Sequence, residues 1–221
     1  MDMSNAFRSK SLIYRAVEDN EEDKAFLHSL WLDPQSLHLN NYMPLFRPFN
    51  RHASDSSHRA STTNRLISVL ICLPVDTLSL EGQEDAFRSD KKVTPIGMLN
   101  LHGGMSGDTR HHRTHDIGIL IAPEHRGHGY GSEAVRWILN WGFEMAGLHR
   151  IGLQSGSFSS GAVRLWKRIG FKQDGVDREA LWSNGSWHDE VRFSILEHEW
   201  RALVEKEKDR NSGQDCSRWA V

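Results

Sequence analysis

Six residues constrain this chain more than any others: Arg126-Gly127-His128-Gly129-Tyr130-Gly131, glycines alternating with larger residues between two apolar patterns. Upstream, 116–121 reads as a strand. Downstream, Ala134, Trp137, Ile138, Trp141 and Met145 recur at intervals of three and four, predicting a helix over 132–146 that stops at Gly147. Glycines at a strand-to-helix junction let the backbone approach a ligand closely. The helix amino terminus adds free N–H groups and partial positive charge, which together suit a pyrophosphate. Spacing separates the options. A Rossmann turn needs G-x-G-x-x-G, whereas this run is G-x-G-x-G. A Walker loop needs Gly-Lys-Ser/Thr, and no lysine occurs here. The pattern Arg/Gln-x-x-Gly-x-Gly/Ala is met by Arg126, Gly129 and Gly131.

The rest of the chain builds an α/β domain around that junction. Strand patterns occur at 12–17, 66–73, 93–101, 150–154, 171–181 and 190–196, and helical spacing at 24–31 and 161–169. Asn184-Gly185 predicts a hairpin between the last two strands. With 221 residues the chain suits one generous domain. Its 27 basic and 29 acidic residues argue against nucleic acid as a partner. No apolar run reaches the ~20 residues of a membrane span, and 1–10 lacks the apolar core of a signal peptide. Cys72 and Cys216 are too few for a disulfide framework. The expectation is an intracellular protein, cytoplasmic with the nucleus left open, monomeric or homodimeric.

The Arg126–Gly131 run, together with DIGILIAPEHRGHGYGSEAV, HRIGLQSGSFSSGAVRLWKRIGFKQDG and EALWSNGSWHDEVRFSILEHEW, resembles the GNAT superfamily of N-acetyltransferases. Within it, the chain is similar to the branch of ribosomal-protein N-terminal and polyamine acetyltransferases. The resemblance runs from about residue 93 to 201 and is weak before that. It implies a single α/β (α+β) domain with a central mixed, mostly antiparallel twisted sheet, splayed at the fourth strand and flanked by helices. The expected boundaries are a flexible N-terminus at 1–10, the domain at 11–204 and a charged tail at 205–221, with mobile loops at 50–64, 81–92 and 103–114.

The resemblance also implies roles. The co-substrate is acetyl-CoA and the partner an amine acceptor, a small molecule or a peptide, with no metal. Ile119, Leu120 and Ile121 would line the pantetheine arm, and the backbone amide of Leu120 would hold the oxyanion. Arg126, Gly127, His128, Gly129, Tyr130, Gly131 and Ser132 would hold the pyrophosphate, leaning on amides and Arg126 because neutral His128 brings little charge. Asp116 stands where relatives carry a glutamate and is the first candidate for general base; a carboxylate paired with Arg113 is the competing reading. His115, His102 and Glu179 follow as bases. Ser159 and Trp166 replace an asparagine and a tyrosine of the family pattern. An indole N–H cannot protonate the departing thiolate, so a water or another side chain would, and a CoA-binding regulatory domain without turnover is the alternative function. His111, His112 and His115 read as a solvated run, with a metal-binding loop as a third reading. Trp182, Trp187, His188 and Asp189 border the amine site or serve as core and turn.

Overall fold

A computed structural model of the protein describes residues 5–39, 50–52, 55, 59, 65–74, 93–103 and 111–216. The polar stretches 50–64, 81–92 and 103–114 lie mostly outside these residues. The chain opens with a short strand, β1 (Ile13–Ala16), and a helix, α1 (Glu21–Leu32). Asn20 begins α1 by accepting the Asp23 N–H at 2.8 Å, and Glu21, Glu22 and Asp23 complement the helix dipole. Asp23 is buried, where it receives both Nη groups of Arg15 at 2.7 and 2.5 Å and the Glu18 N–H at 2.8 Å. Truncating it would strand a partly buried guanidinium at a cost of about 3–5 kcal/mol.

A short helix, α2 (Pro34–Leu39), leads toward β2 (Ile67–Pro74), β3 (Val93–His102) and β4 (Thr114–Ile121). A 3-10 turn at Pro123–His125 precedes α3 (Tyr130–Asn140). Then come β5 (Arg150–Gly156), α4 (Ser160–Ile169), β6 (Lys172–Ser183), β7 (Ser186–Leu196) and α5 (Glu197–Cys216). The strands form one seven-stranded sheet in the order β1-β2-β3-β4-β5-β7-β6, antiparallel except for β4 and β5. This is the mixed, mostly antiparallel architecture expected.

Period-two alternation divides the sheet between two cores. One face packs Leu99, Leu101, Ile117, Ile151, Leu153 and Phe193 against Val135, Ile138, Leu139, Phe143, Trp166 and Trp200 from α3 to α5. The other packs Leu70, Cys72 and Met98, with Leu120 half-buried, against Leu27 and Leu30 of α1. Cys72 is the buried small hydrophobe expected, and Trp137 belongs to the core stripe.

Three boundaries differ from expectation. The helix over 132–146 changes character at Trp141–Met145, a single π turn in which the Ala146 N–H reaches the Trp141 carbonyl. It carries Gly142 close against the sheet, where a Cβ would stand 2.8 Å from Ile151. The domain boundary expected at 204 falls inside α5, and beyond it Glu207 pairs with Arg136 of α3 at 3.0 Å. The N-terminal residues are fastened from Asn5 onward. Ala6 is buried, its carbonyl accepts the Trp137 indole N–H at 2.9 Å, and Ser9 donates to Glu133 at 2.6 Å.

Candidate active site

The site is a fork in the sheet. Beside β5, only Thr114, His115 and Asp116 of β4 find partners, namely Arg150, Ile151 and Gly152. From Ile117 on, β4 keeps β3 alone, while β5 continues along β7. Two hydrogen bonds set which backbone groups face the opening. Leu101 accepts from the Leu66 N–H on the β2 side, and Ile96 accepts from the Ala122 N–H on the β4 side. Alternation along an antiparallel ladder then turns the polar groups of Met98, Asn100 and His102, and of their partners Leu120, Gly118 and Asp116, into the β3–β4 seam. The Leu120 N–H is therefore committed to β3, which corrects its expected oxyanion role. The amides of Ile119 and Ile121 face the gap instead, and Arg126 Nε caps the Ile121 carbonyl at 2.9 Å.

At the same end lies the glycine run. Gly127 and Gly129 have φ of +79° and +88°, left-handed values that a side chain strains to adopt, and a Cβ on either would meet open space. α3 starts at Tyr130, no side chain caps it, and its first internal bond at this end is Glu133 N–H to Gly129 O at 3.1 Å. The amides from Gly127 to Ser132 have no hydrogen-bond partner among the described residues and gather at a helix amino terminus, an electropositive cradle. The His128 and Tyr130 rings stack at 5.8 Å.

Arg126 does not join that cradle. Its Nη1 donates to Gln35 at 2.9 Å, and its Nη2 to Asp33 at 2.9 Å and Ser36 at 2.5 Å, so the nitrogens expected to meet phosphate are engaged at the α1–α2 corner. The Arg126 N–H is also taken, by the Pro123 carbonyl at 3.2 Å. A cation that sequence reasoning missed lies beside the loop. Arg168 on α4 donates to the Ser132 hydroxyl at 3.2 Å. Basic residues in a last helical turn carry no signal of what they face; only the docking of α4 against α3 brings this one to the loop.

Asp116 sits at the crotch of the fork, the last residue of β4 paired with β5. Its carboxylate lies over Gly152 and Gly103, with positions for a Cβ on those glycines 2.6 and 3.6 Å from its oxygens. Burial raises its pKa, against the pull of Arg150 and His115. Arg113, the partner in the competing reading, donates to the Gly147 carbonyl at 3.1 Å; Arg150 is the cation near Asp116. Arg150 in turn pairs with Asp174 at 2.5 Å. Across the seam from Asp116 is His102, whose ring, with Asn100, lies over Gly118. Burial first, then Arg65 and His115, lower the His102 pKa to about 4, so it is neutral at pH 7. Burial also lowers His115, whose Nδ1 is enclosed without a partner.

The remaining candidates are more scattered. Glu179 is exposed at a bulge of β6, with φ of +51° and its N–H held by Asp189, three strands away from β4. His111 and His112 are exposed, their rings 4.0 Å apart and tilted by 43°. Among the described residues, no three His, Cys, Asp or Glu side chains are grouped to hold a metal. Ser159 begins α4, buried, with its N–H on Gly156 O at 2.9 Å. Trp166 is core, 7% exposed and edge-on to Phe171. Trp182 and Trp187 pair at the hairpin tip, 60% and 57% exposed, so they are not core. His188 turns inward, edge-on to Phe158 at 5.0 Å.

Comparison with known proteins fits this geometry. Spermidine N-acetyltransferase from Vibrio cholerae, solved with CoA and spermine, superposes with a TM-score of 0.66 over 87% of this chain and 99% of its own, at 22% identity. A GNAT-family acetyltransferase from Bacillus anthracis gives 0.65 over 87% and 98%, at 19% identity. Among curated sequences, an uncharacterized N-acetyltransferase of Bacillus subtilis, YnaD, is 34% identical over 39% of this chain and 51% of its own. The spermidine N(1)-acetyltransferase of Vibrio cholerae is 33% identical over 40% and 51%. The chain thus spans about half the length of these curated relatives. No helix among the described residues is long and apolar enough to cross a membrane. The model of the acetyltransferase (GNAT) family matches residues 41–171, more than half of the 221, and the chain belongs to that family.

Proposed function

We propose that this protein is an acetyl-CoA-dependent N-acetyltransferase acting on a primary amine, which attacks the thioester directly while both substrates are bound. One observation carries the reading: a gap between β4 and β5 opens beside an uncapped helix amino terminus with a run of amides unpartnered among the described residues. The described residues fit a nucleotide-linked thioester. Gly127 to Ser132 supply N–H groups for a pyrophosphate, with Arg168 beside them. Ile119 and Ile121 present strand edges with which an amide-bearing arm can pair. Bound there, acetyl-CoA supplies an activated acetyl group.

The chain's own residues do the rest. The acceptor comes from the α1 side of the sheet, which Asp116, Gly118 and Leu120 face. A lysine-like amine costs roughly 4 to 5 kcal/mol to neutralise at pH 7, and Asp116, with its pKa raised by burial, takes that proton directly or through a water. The Ile119 N–H, on the gap, stabilises charge developing on the carbonyl oxygen. Trp166 does not serve as an acid, so a water protonates the thiolate, whose modest basicity makes this tolerable. The spermidine acetyltransferases among the relatives suggest polyamines as acceptors to try alongside N-terminal peptides.

The test is thiol release from acetyl-CoA with separate pools of polyamines, aminosugars, amino acids, N-terminal peptides and lysine peptides. Release above the amine-free rate in one pool establishes the activity and its acceptor class. Binding of acetyl-CoA without release in any pool favours the regulatory alternative.

A further inference from the structure

The arginine of the signature makes an unexpected set of contacts. Its guanidinium spends three nitrogens on four partners. Nε holds the Ile121 carbonyl, at the end of β4, at 2.9 Å. Nη1 and Nη2 hold Gln35, Asp33 and Ser36, where α1 turns into α2, at 2.9, 2.9 and 2.5 Å. That corner is built to receive it. Asp33 accepts the Ser36 N–H and hydroxyl, each at 2.8 Å, so the carboxylate that begins α2 is also the one that meets Arg126. Ser36 is fully enclosed, and the Arg126 and Asp33 side chains are 27% and 20% exposed. Arg126 adjoins the first of the cradle amides on one side. On the other it grips the end of α1, whose Leu27 and Leu30 cover the face of the sheet from which Asp116 is reached.

We infer that Arg126 is a positioning residue that couples the two substrate sites, its guanidinium bracing the α1–α2 corner against β4 so that ordering of the 127–132 loop by CoA also orders the acceptor side. The inference rests on the proposed function, because it requires a CoA site at that loop. It differs from a phosphate-ligand role in where a defect appears. A phosphate ligand, once removed, weakens CoA binding itself; a brace, once cut, leaves CoA binding intact and loses the communication.

Hydrogen exchange of backbone amides, with and without CoA, distinguishes the two. In the native protein CoA slows exchange both at 127–132 and at 33–39, the latter by about fivefold. In Asp33→Asn, which keeps a side-chain acceptor for Ser36 and removes the charge, CoA affinity by calorimetry changes less than about threefold and slowing persists only at 127–132. Asp33→Glu restores slowing at 33–39, which a loss of folding would not. Arg126→Gln reproduces the uncoupling and serves if the Asp33 variant does not fold. Native protein that binds CoA with no slowing at 33–39 overturns the inference alone, as does an Asp33→Asn protein that keeps it. Native protein that binds no CoA overturns the proposed function and the inference with it.

Discussion

Asp116 owes its place to two neighbours without side chains. Gly152 leaves room for the carboxylate beside the seam, and the last β4–β5 pair fixes its height at the fork. Replacing Asp116 with Asn removes the proposed base at little steric cost, and kcat/KM falls about a hundredfold. The sign of the pH effect follows from the raised pKa. Asp116 must be deprotonated to accept a proton, so activity is lost on acidification, through a pKa above the ordinary carboxylate value. A rate profile that keeps this acid limb in Asp116→Asn assigns the limb to another group. Gly152→Ala tests the same geometry from the other side. The new methyl would meet a carboxylate oxygen at 2.6 Å, which must shift, lowering kcat while acetyl-CoA affinity holds. Unchanged kcat in that variant would show that the position of the carboxylate does not matter.

Among the elements, the turn into α3 is the most legible from sequence and α4 the least. Gly127 and Gly129 could be read as special because their left-handed φ is a property of the local chain, which few other residues tolerate. Gly129→Ala strains that turn, costing about 1 kcal/mol, and misdirects the amides; acetyl-CoA affinity falls about tenfold, measured by calorimetry. Arg168→Ala leaves the turn intact and removes the nearby cation, lowering affinity about threefold to tenfold with a steeper loss in low salt. Equal affinity for native and Arg168→Ala protein would remove that residue from the site. Leu120 shows the opposite limit. A run of branched residues reveals a strand and its two faces, but which edge each N–H takes depends on the register with β3, set by partners some 20 residues away. That an indole N–H is no acid for a thiolate is legible at Trp166 from chemistry alone. That this residue packs against Phe171 needed the docking of α4 beside the sheet.

At the scale of the whole molecule, the fold holds His102 neutral between strands, and its stability should report this. The His102 pKa drops from about 6.5 unfolded to about 4 folded, because burial disfavours its charge. Below pH 6.5 the unfolded chain takes up a proton that the native state refuses, so stability is lost as pH falls from about 6.5 to 4. His102→Gln should flatten that part of the stability curve in thermal unfolding; an unchanged slope would mean that the ring is solvated and charges freely. The sequence by itself determined the strand and helix order, the glycine cradle, the family and the polarity of the carboxylate at 116. These follow from local periodicity, from backbone strain and from chemistry carried on adjacent residues. Only the tertiary structure decided which amide faces the gap, that the Arg126 guanidinium meets Asp33, Gln35 and Ser36 at the α1–α2 corner, and that Arg168 meets Ser132 beside the loop. Each of these is a contact between segments 20 to 90 residues apart, and a chain carries no local trace of the partner that another segment will bring to it.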